Sequence, residues 1–412
     1  MSINSMTLSV EKFAYNFLVL VLVLTPIIAH AGGLGFVPIV FLMGLVGLIF
    51  CLISRRFTFT KVQLALIVFT SYLCLSANWS PYETNIFITN YNKLLIMSIA
   101  LYWSVYLFEL ASNKNSKKLI TLILIMSFLE AIVLFVDIKT HYSVTMAIET
   151  LYTSEDRLSR LVQTEMNLGH AIVFLVLLLS PVLVFIFSRY SKYTSLIASV
   201  IIVSLIISAS IFNHLAIGIF SVIAVLLSMG FGYIYPRFAP SFFIFISILA
   251  IIFAPVLAYF SFLITEPGLT ELPMSWDHRF RMWGYCWNII SEHPFVGAGF
   301  DASRTFNDSF IAQDGRNLSL LSLHPHNLGI QIWTETGLVG AVLASILLLS
   351  LIKPLKKNIN NSKSSSAYSG VIVASFTISS LTIGAWQLWW WSAVFLALGI
   401  TKLVNSPNKC DY

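Results

Sequence analysis

The sequence predicts an all-α, polytopic membrane protein with about 12 transmembrane helices. Three observations carry this. Hydrophobic residues make up 58% of the chain and charged residues only 10%, whereas a soluble domain carries roughly 25% charged residues. Mean hydropathy is +0.85, and apolar runs of about 20 residues, the length that crosses hydrocarbon, recur along the whole chain. The basic residues then fall mainly in alternate connections, as the positive-inside bias requires. Lipid supplies the apolar surroundings, so length sets no domain count, and residues 1–412 read as a single integral membrane domain.

Taken in order, the first four spans lie near 13–31, 34–53, 62–79 and 93–110. The next four lie near 119–137, 168–188, 194–211 and 214–233, and the last four near 241–263, 335–353, 368–385 and 387–405. No small-residue cleavage site follows the first run, so it is expected to stay as a helix. Placing the N-terminus inside puts 16 of the 24 lysines and arginines on inner connections. Lys93, Lys139, Arg157, Arg160, Arg279, Arg281, Arg304 and Arg316 fall outside. Two outer connections are long, 139–167 and 265–334, and long connections in compact chains usually carry function. The Asn/Ser/Lys stretch from Lys356 to Ser366 reads as a solvated inner connector.

The charge of +6 belongs to those inner connections and makes the lipid bilayer, not nucleic acid, the expected partner. Cys51, Cys74, Cys286 and Cys410 are scattered without metal-ligand spacing, so no disulfide and no metal are expected.

The candidate site residues are the polar ones on the outer side. Within WDHRFRMWGYCWNIISEHPFVGAGF, Phe280, Trp283, Trp287 and Ile290 recur at helical spacing. Residues 276–291 therefore read as an amphipathic helix on the membrane surface, ended by Pro294 and Gly297. It places Arg279, Trp283 and Cys286 on one face; anchoring to anionic lipid headgroups is the alternative role for Arg279 and Arg281. Arg157 and Arg160, three residues apart, can face one anion if helical. A local ion-pair network with Glu155 and Asp156 is the alternative. Arginine binds phosphate oxygens bidentately, so these guanidinium groups can converge on a diphosphate.

The segment LHPHNLGIQIWTETGLVG, Leu323 to Gly340, sets ionisable groups at the mouth of the tenth span, where they are costly and usually functional. Pro325 breaks the chain, a helix is expected just after His326, and it should continue past Gly337 and Gly340. Asn327, Gln331 and Glu335 then form a polar stripe. A histidine at a helix N-terminus is held neutral and can accept a proton from a hydroxyl. A metal bound by His324, His326 and Glu335 is disfavoured, because Glu335 lies more than two helical turns away.

These residues resemble the bacterial O-antigen ligase and O-antigen polymerase superfamily. The pieces are His278-Arg279 with Trp283, then Pro294-Phe295-Val296-Gly297-Ala298-Gly299, then His324 through Gly340. The ligases' H-x10-G pattern matches His326 to Gly337, and their R-x3-L pattern matches Arg157 to Leu161. The resemblance implies a GT-C-like membrane fold and an inverting, metal-independent glycosyltransferase without cofactor. It implies a multi-pass protein of the inner membrane with its site on the periplasmic face, where 265–334 and 139–167 become periplasmic loops. The implied donor is a glycan on undecaprenyl diphosphate, and the implied acceptor is the lipid A core. His326 would activate the acceptor hydroxyl. Arg279 and Arg157 would hold the diphosphate, with Arg160, Arg281, His324, Asn327, Gln331 and Glu335 in support. Many relatives carry an arginine at the outer start of the eighth span, where this chain has Asn213 and His214. Either His214 replaces one contact, or Arg157, Arg160 and Arg281 suffice. The H-x10-G match favours a ligase over a polymerase. A transporter or flippase is the competing class, disfavoured because Glu109, Glu130 and Glu335 lie near span ends and the halves do not repeat.

Overall fold

The computed structural model describes residues 3–53, 59–82, 90–150, 157–265, 272–312, 314–321 and 323–405. Within these, only the backbone is described for 3–10, 90–95, 111–115, 148, 149, 157–160 and 162. The architecture is an all-α polytopic membrane bundle. In chain order it runs α1 (Ile3–His30), α2 (Phe36–Ile53), α3 (Lys61–Ser76), α4 (Asn90–Lys139), α5 (Ser143–Glu149), α6 (Arg157–Arg189) and α7 (Lys192–Phe212). It continues with α8 (Ala216–Ile234), α9 (Ala239–Ile252), α10 (Ala254–Thr265) and α11 (Met274–Glu292). A hairpin of β1 (Ser309–Ile311) and β2 (Asn317–Ser319) follows, then α12 (Leu328–Asn358), α13 (Ser362–Leu381) and α14 (Leu388–Val404).

Each of the twelve expected segments falls on a helix. However, eight helices among the described residues are long and apolar enough to cross a membrane, or nine if α9 and α10 form one bent span. The shortfall has three physical sources. The apolar stretches Ile96–Leu110 and Leu388–Val404 are short. The expected ninth span is two helices bent by 49°, with Pro255 just past the break. Finally, α13 is serine-rich.

Those serines correct the reading of an inner solvated connector. Ser364, Ser365 and Ser366 are buried in the first turn of α13, which begins six residues before the expected 368. Ser366 Oγ donates to the Met229 carbonyl (2.7 Å), and Ser180 Oγ donates to the Ala367 carbonyl (2.9 Å). A Cβ on Gly370 would sit 2.2 Å from Ser180 Cβ. In lipid, helices associate through such small residues and close backbone approach rather than through hydrophobic transfer.

The 50 residues of α4 would reach about 75 Å if straight, too long for one crossing. Its two halves lie against different helices. Gly44 and Gly47 of α2 lie against Ala100 and Trp103, so α2 runs parallel to the first half. Leu22 and Thr25 of α1 line one cavity with Ile123 and Glu130 of the second half, and His30 meets Glu130 and Asp137. Phe13 meets Phe50 at 5.8 Å, which makes α1 antiparallel to α2.

The helix at the centre is α6, with 89% of its apolar stretch buried, against 22–39% for the other spans. It starts at Arg157 rather than near 168, so the second outer connection is shorter than expected and carries α5. The connections at one end of the bundle meet in a continuous chain. His170 bonds the Gly32 carbonyl (2.9 Å) and its ring lies 4.2 Å from Trp389. Trp389 donates to Gln387 (3.1 Å), which contacts His324 (3.3 Å).

Candidate functional site

The His-Pro-His-Asn turn is pinned from α11. Trp283 is buried, and its Nε1 donates to the Pro325 carbonyl (2.8 Å). One helical turn earlier stands Arg279, which brings its charge within range of His326. The pairing of arginine and tryptophan in H-R-x-x-x-W thus becomes an anchor and a cation on one helix face. The helix itself does not lie free on a membrane surface. Met282, Trp283, Cys286 and Ile290 pack with Ala254 and Ala258 of α10, Leu321 and Ile330. Gly284 is pressed against the Phe262 backbone.

Asn327 caps α12, its Oδ1 accepting from Ile330 N (3.0 Å), so the helix starts where the sequence placed it. His326, just before the cap, has φ 51°, a left-handed conformation that costs a non-glycine residue energy. Its backbone N–H donates to His324 Nδ1 (3.3 Å), which holds the turn. The ring is fixed as well: Nδ1 lies 2.6 Å from the Thr382 carbonyl. A carbonyl can only accept, so Nδ1 carries the proton and Nε2 keeps its lone pair. No hydrogen-bond partner for Nε2 occurs among the described residues, and the residue is only half-buried. Burial lowers the His326 pKa below 6.5, the Thr382 carbonyl opposes this, and the charges of Arg279 and His278 lower it further. His324 is buried, and burial, with the charges of His326 and Arg304, pushes it down to about 3. Both imidazoles are neutral at pH 7.

The arginines differ in what balances them. Arg279 donates to the Ser275 carbonyl (2.9 Å) and lies near the Trp276 ring (5.7 Å), with no carboxylate partner among the described residues. Burial lowers its pKa, yet a guanidinium stays charged at any working pH. Arg281 is ion-paired to Asp277 (3.0 Å) and faces Phe310, which removes much of its availability. Arg304, which sequence reasoning passed over, pairs with Asp301 (3.0 Å), and its charge reaches His324. The signal was present: Arg304 is one of the eight outer cations. His278 is a brace rather than a free group, its Nε2 lying 2.9 Å from the Ser319 carbonyl in β2.

The tenth span is not continuous. It breaks at Gly337, with φ 60° and ψ −159°, a region open essentially only to glycine. The P-x-x-G-x-G segment fills the break. Ala298 N and Gly299 N donate to the carbonyls of Thr334 and Glu335 (both 2.9 Å). Leu338 N and Val339 N, which an unbroken helix would direct to those carbonyls, donate instead to Pro294 and Phe295 (2.9 and 3.0 Å). Tyr72 of α3 donates to the Thr336 carbonyl (3.0 Å). In a membrane each unsatisfied backbone group costs several kcal/mol, so broken helices need such substitutes. A Cβ on Gly297 would lie 2.3 Å from the Glu335 carbonyl carbon, and one on Gly337 2.4 Å from that of Phe295. Both glycines are required by the close approach.

Gln331 and Glu335 are fully enclosed, so they form no open stripe. Glu335 accepts from Gln331 Nε2 (3.0 Å), Asp301 N (2.7 Å) and Trp386 Nε1 (2.5 Å). Among the described residues no cluster of three or more His, Cys, Asp or Glu has the makings of a metal site. His214 is exposed in the turn between α7 and α8, and no hydrogen bond, ion pair or ring contact joins it to the histidine pair. Its neighbour Asn213 ties that turn to Glu165 (3.2 Å) and Tyr142 (3.4 Å). Arg157 and Arg160 begin α6, but their side chains lie outside the described residues. The structure therefore brings together His324, His326, Asn327, Arg279 and Arg304, with Gln331 and Glu335 behind them.

Residues 175–345 match the O-antigen ligase family model. That span includes α11, the P-x-x-G-x-G segment, the His-Pro-His-Asn turn and Gly337. It leaves out Arg157, Arg160 and the connection from α13 to α14. A Rickettsia felis protein whose name carries the words polysaccharide ligase is 32% identical over 151 residues, 35% of this chain and 36% of that protein. A similarly named Rickettsia bellii protein is 28% identical over 148 residues, again 35% and 36%. The chain spans 36% of the length of the curated relatives it matches. These likenesses support an O-antigen ligase-like family member.

Proposed function

We propose that the chain is an O-antigen ligase, an inverting glycosyltransferase. It transfers a glycan from undecaprenyl diphosphate to a sugar of the lipid A core at the periplasmic face of the inner membrane. The observation that carries this is one pair of groups. Among the described residues, His326 has its Nδ1 committed to the Thr382 carbonyl and no hydrogen-bond partner at Nε2, and beside it stands Arg279 with no carboxylate partner.

In this reading the acceptor hydroxyl donates to His326 Nε2. Its oxygen attacks the anomeric carbon of the donor from the face opposite the diphosphate. The C–O bond to the new sugar forms as the bond to the diphosphate breaks, and the hydroxyl proton passes to Nε2. A neutral imidazole suits this step, and general-base help is worth about 10²–10⁴-fold. The negative charge growing on the diphosphate is met by Arg279, with Arg157 and Arg160 as further guanidinium donors, whereas Arg304 is already paired with Asp301. Fixed cations aimed at developing charge usually supply the largest catalytic term. Arg281 contributes less, because Asp277 already matches its charge.

Reconstitution of the full chain with a lipid-linked glycan and either lipid A core or a second lipid-linked glycan tests the reading. Growth of the lipid A core supports it. Growth of the second lipid-linked glycan instead makes the protein a polymerase, and transfer to neither overturns both.

A further inference from the structure

The chemistry above uses the His-Pro-His turn and the arginines, yet α12 buries two further polar side chains directly behind them. Gln331 is 2% exposed and Glu335 0%. Neither touches His326 or Arg279 by any hydrogen bond. What they hold is the connection from α13 to α14, residues 382–387. Gln331 Oε1 accepts from the backbone N–H of Ala385 (2.7 Å), while its Nε2 donates to Glu335 (3.0 Å). Glu335 Oε2 accepts from Trp386 Nε1 (2.5 Å) and from Asp301 N (2.7 Å). This same connection supplies the Thr382 carbonyl that accepts from His326 Nδ1. It also lays Gly384 against the His324 ring so closely that a Cβ there would sit 2.7 Å from Cδ2.

We propose that Gln331 and Glu335 are positioning residues: by holding Ala385 and Trp386 they fix the Thr382 carbonyl that keeps His326 protonated at Nδ1 and bare at Nε2. The proposal rests on the reading of His326 as the general base. A neutral imidazole places its proton on either nitrogen, and the hydrogen bond made by one of them decides which. In the other tautomer Nε2 carries the proton and cannot receive one. Only Ile383 and Gly384 separate Thr382 from Ala385, so freeing Ala385 and Trp386 releases the carbonyl as well. A hydrogen bond is lost once the separation passes about 3.5 Å, a small displacement from 2.6 Å. The choice of residues fits the task. Position 335 receives three N–H groups from three segments, and a carboxylate is the side chain that accepts at both oxygens and donates at neither. Glutamine at 331 accepts from Ala385 and donates to Glu335, which neither a carboxylate nor an amine could do at once.

The test reads the tautomer directly. Full-length protein labelled with ¹⁵N in its imidazoles is placed in lipid nanodiscs, and the His326 signals are identified by their loss in His326→Gln. The wild type is expected to show a protonated Nδ1 and an unprotonated Nε2. In Gln331→Leu and Glu335→Gln the Nδ1–H population falls, and kcat falls by up to about 100-fold with little change in KM. Trp386→Phe removes only the indole N–H and keeps the ring, so it remains informative if the α12 variants fold poorly, and it should shift the tautomer in the same direction. An unchanged tautomer in Trp386→Phe and in whichever α12 variants fold overturns the proposal, as does a wild type protonated at Nε2. The spectrum needs no substrate. A tautomer shift without transfer to either acceptor would therefore sink the ligase reading and leave the positioning role standing.

Discussion

Among the described residues, two histidine-centred groups within this bundle differ in how their ring nitrogens are used. Between α1 and α4, His30 Nδ1 meets Glu130 (3.3 Å) and its Nε2 meets Asp137 (3.0 Å). Asp137 also accepts from Val144 N (2.7 Å) and Thr145 N (3.1 Å), capping α5 on the segment that leads to Arg157. Both nitrogens of His30 are spent, and the group works as a strut. At the other site His326 spends one nitrogen and keeps one. Polarity inside a membrane bundle draws attention to both groups equally. The unfilled hydrogen-bonding capacity separates them.

Substituting the two histidines gives the largest expected effects and the clearest contrast. His326→Ala should lower the transfer rate by about 10²–10⁴-fold with an unchanged thermal unfolding midpoint. Arg279→Ala should cost about 10²–10³-fold. His30→Ala should do the reverse, keeping the turnover of each folded molecule while losing about 3–5 kcal/mol of stability, the usual cost of stripping one partner from a buried charge group. Transfer assays and thermal melts on the same preparations decide it. A His30 variant of normal stability and lost turnover would erase the distinction.

Gly337→Ala tests the interlock that holds the open site. Backbone strain there costs about 1–3 kcal/mol, and the added methyl meets the Phe295 carbonyl at 2.4 Å. The expected result is a protein that inserts and folds with lower stability and a turnover reduced by about 10–100-fold, because the P-x-x-G-x-G segment shifts against α12. Full activity would mean that the break at Gly337 plays no part in placing His326.

That break also marks where the sequence stops being legible. Spans could be read because each helix crossing lipid needs its own apolar run, and the Asn327 cap could be read because capping is local. The break at Gly337 is closed by donors about forty residues upstream, and nothing near Gly337 announces them. The serines of α13 read as a solvated connector because a small-residue helix interface and a polar loop share a composition. His30 and Asp137 escaped notice for a similar reason: their partners lie about a hundred residues apart along the chain. Arg281 is the opposite case, since Asp277 four residues before it was a readable partner.

The pH response sharpens the same contrast. As the proposed base, His326 acts in its neutral form, and its pKa lies below the ordinary 6.5. Turnover should hold steady from neutral pH down past 6.5 and fall only at more acid pH, as the neutral form is lost. Stability follows the same sign through His324. Its pKa is about 3 when folded against 6.5 otherwise, so the unfolded chain takes up a proton first and stability declines as pH falls from 6.5 towards 3. A rate that rises as pH drops through 6.5 would make the protonated form of His326 the active one and remove it as a base.

Arg281→Ala is expected to have the smallest effect, and it is informative for that reason. Arg279 and Arg281 stand two residues apart on one helix, α11, and composition cannot rank them. Geometry does: Asp277 lies 3.0 Å from Arg281 and balances its charge, while Arg279 has a backbone carbonyl and an aromatic ring beside it and no carboxylate among the described residues. Removing Arg281 takes the cation from beside the buried Asp277, so some loss of stability should appear, with turnover changed no more than about tenfold. The double change Asp277→Asn with Arg281→Gln, which removes both charges together, should restore stability towards the wild type. If Arg281→Ala instead matches Arg279→Ala in lost turnover, Asp277 is releasing its partner to the substrate, and the proposed diphosphate site holds one more cation than the resting geometry assigns to it.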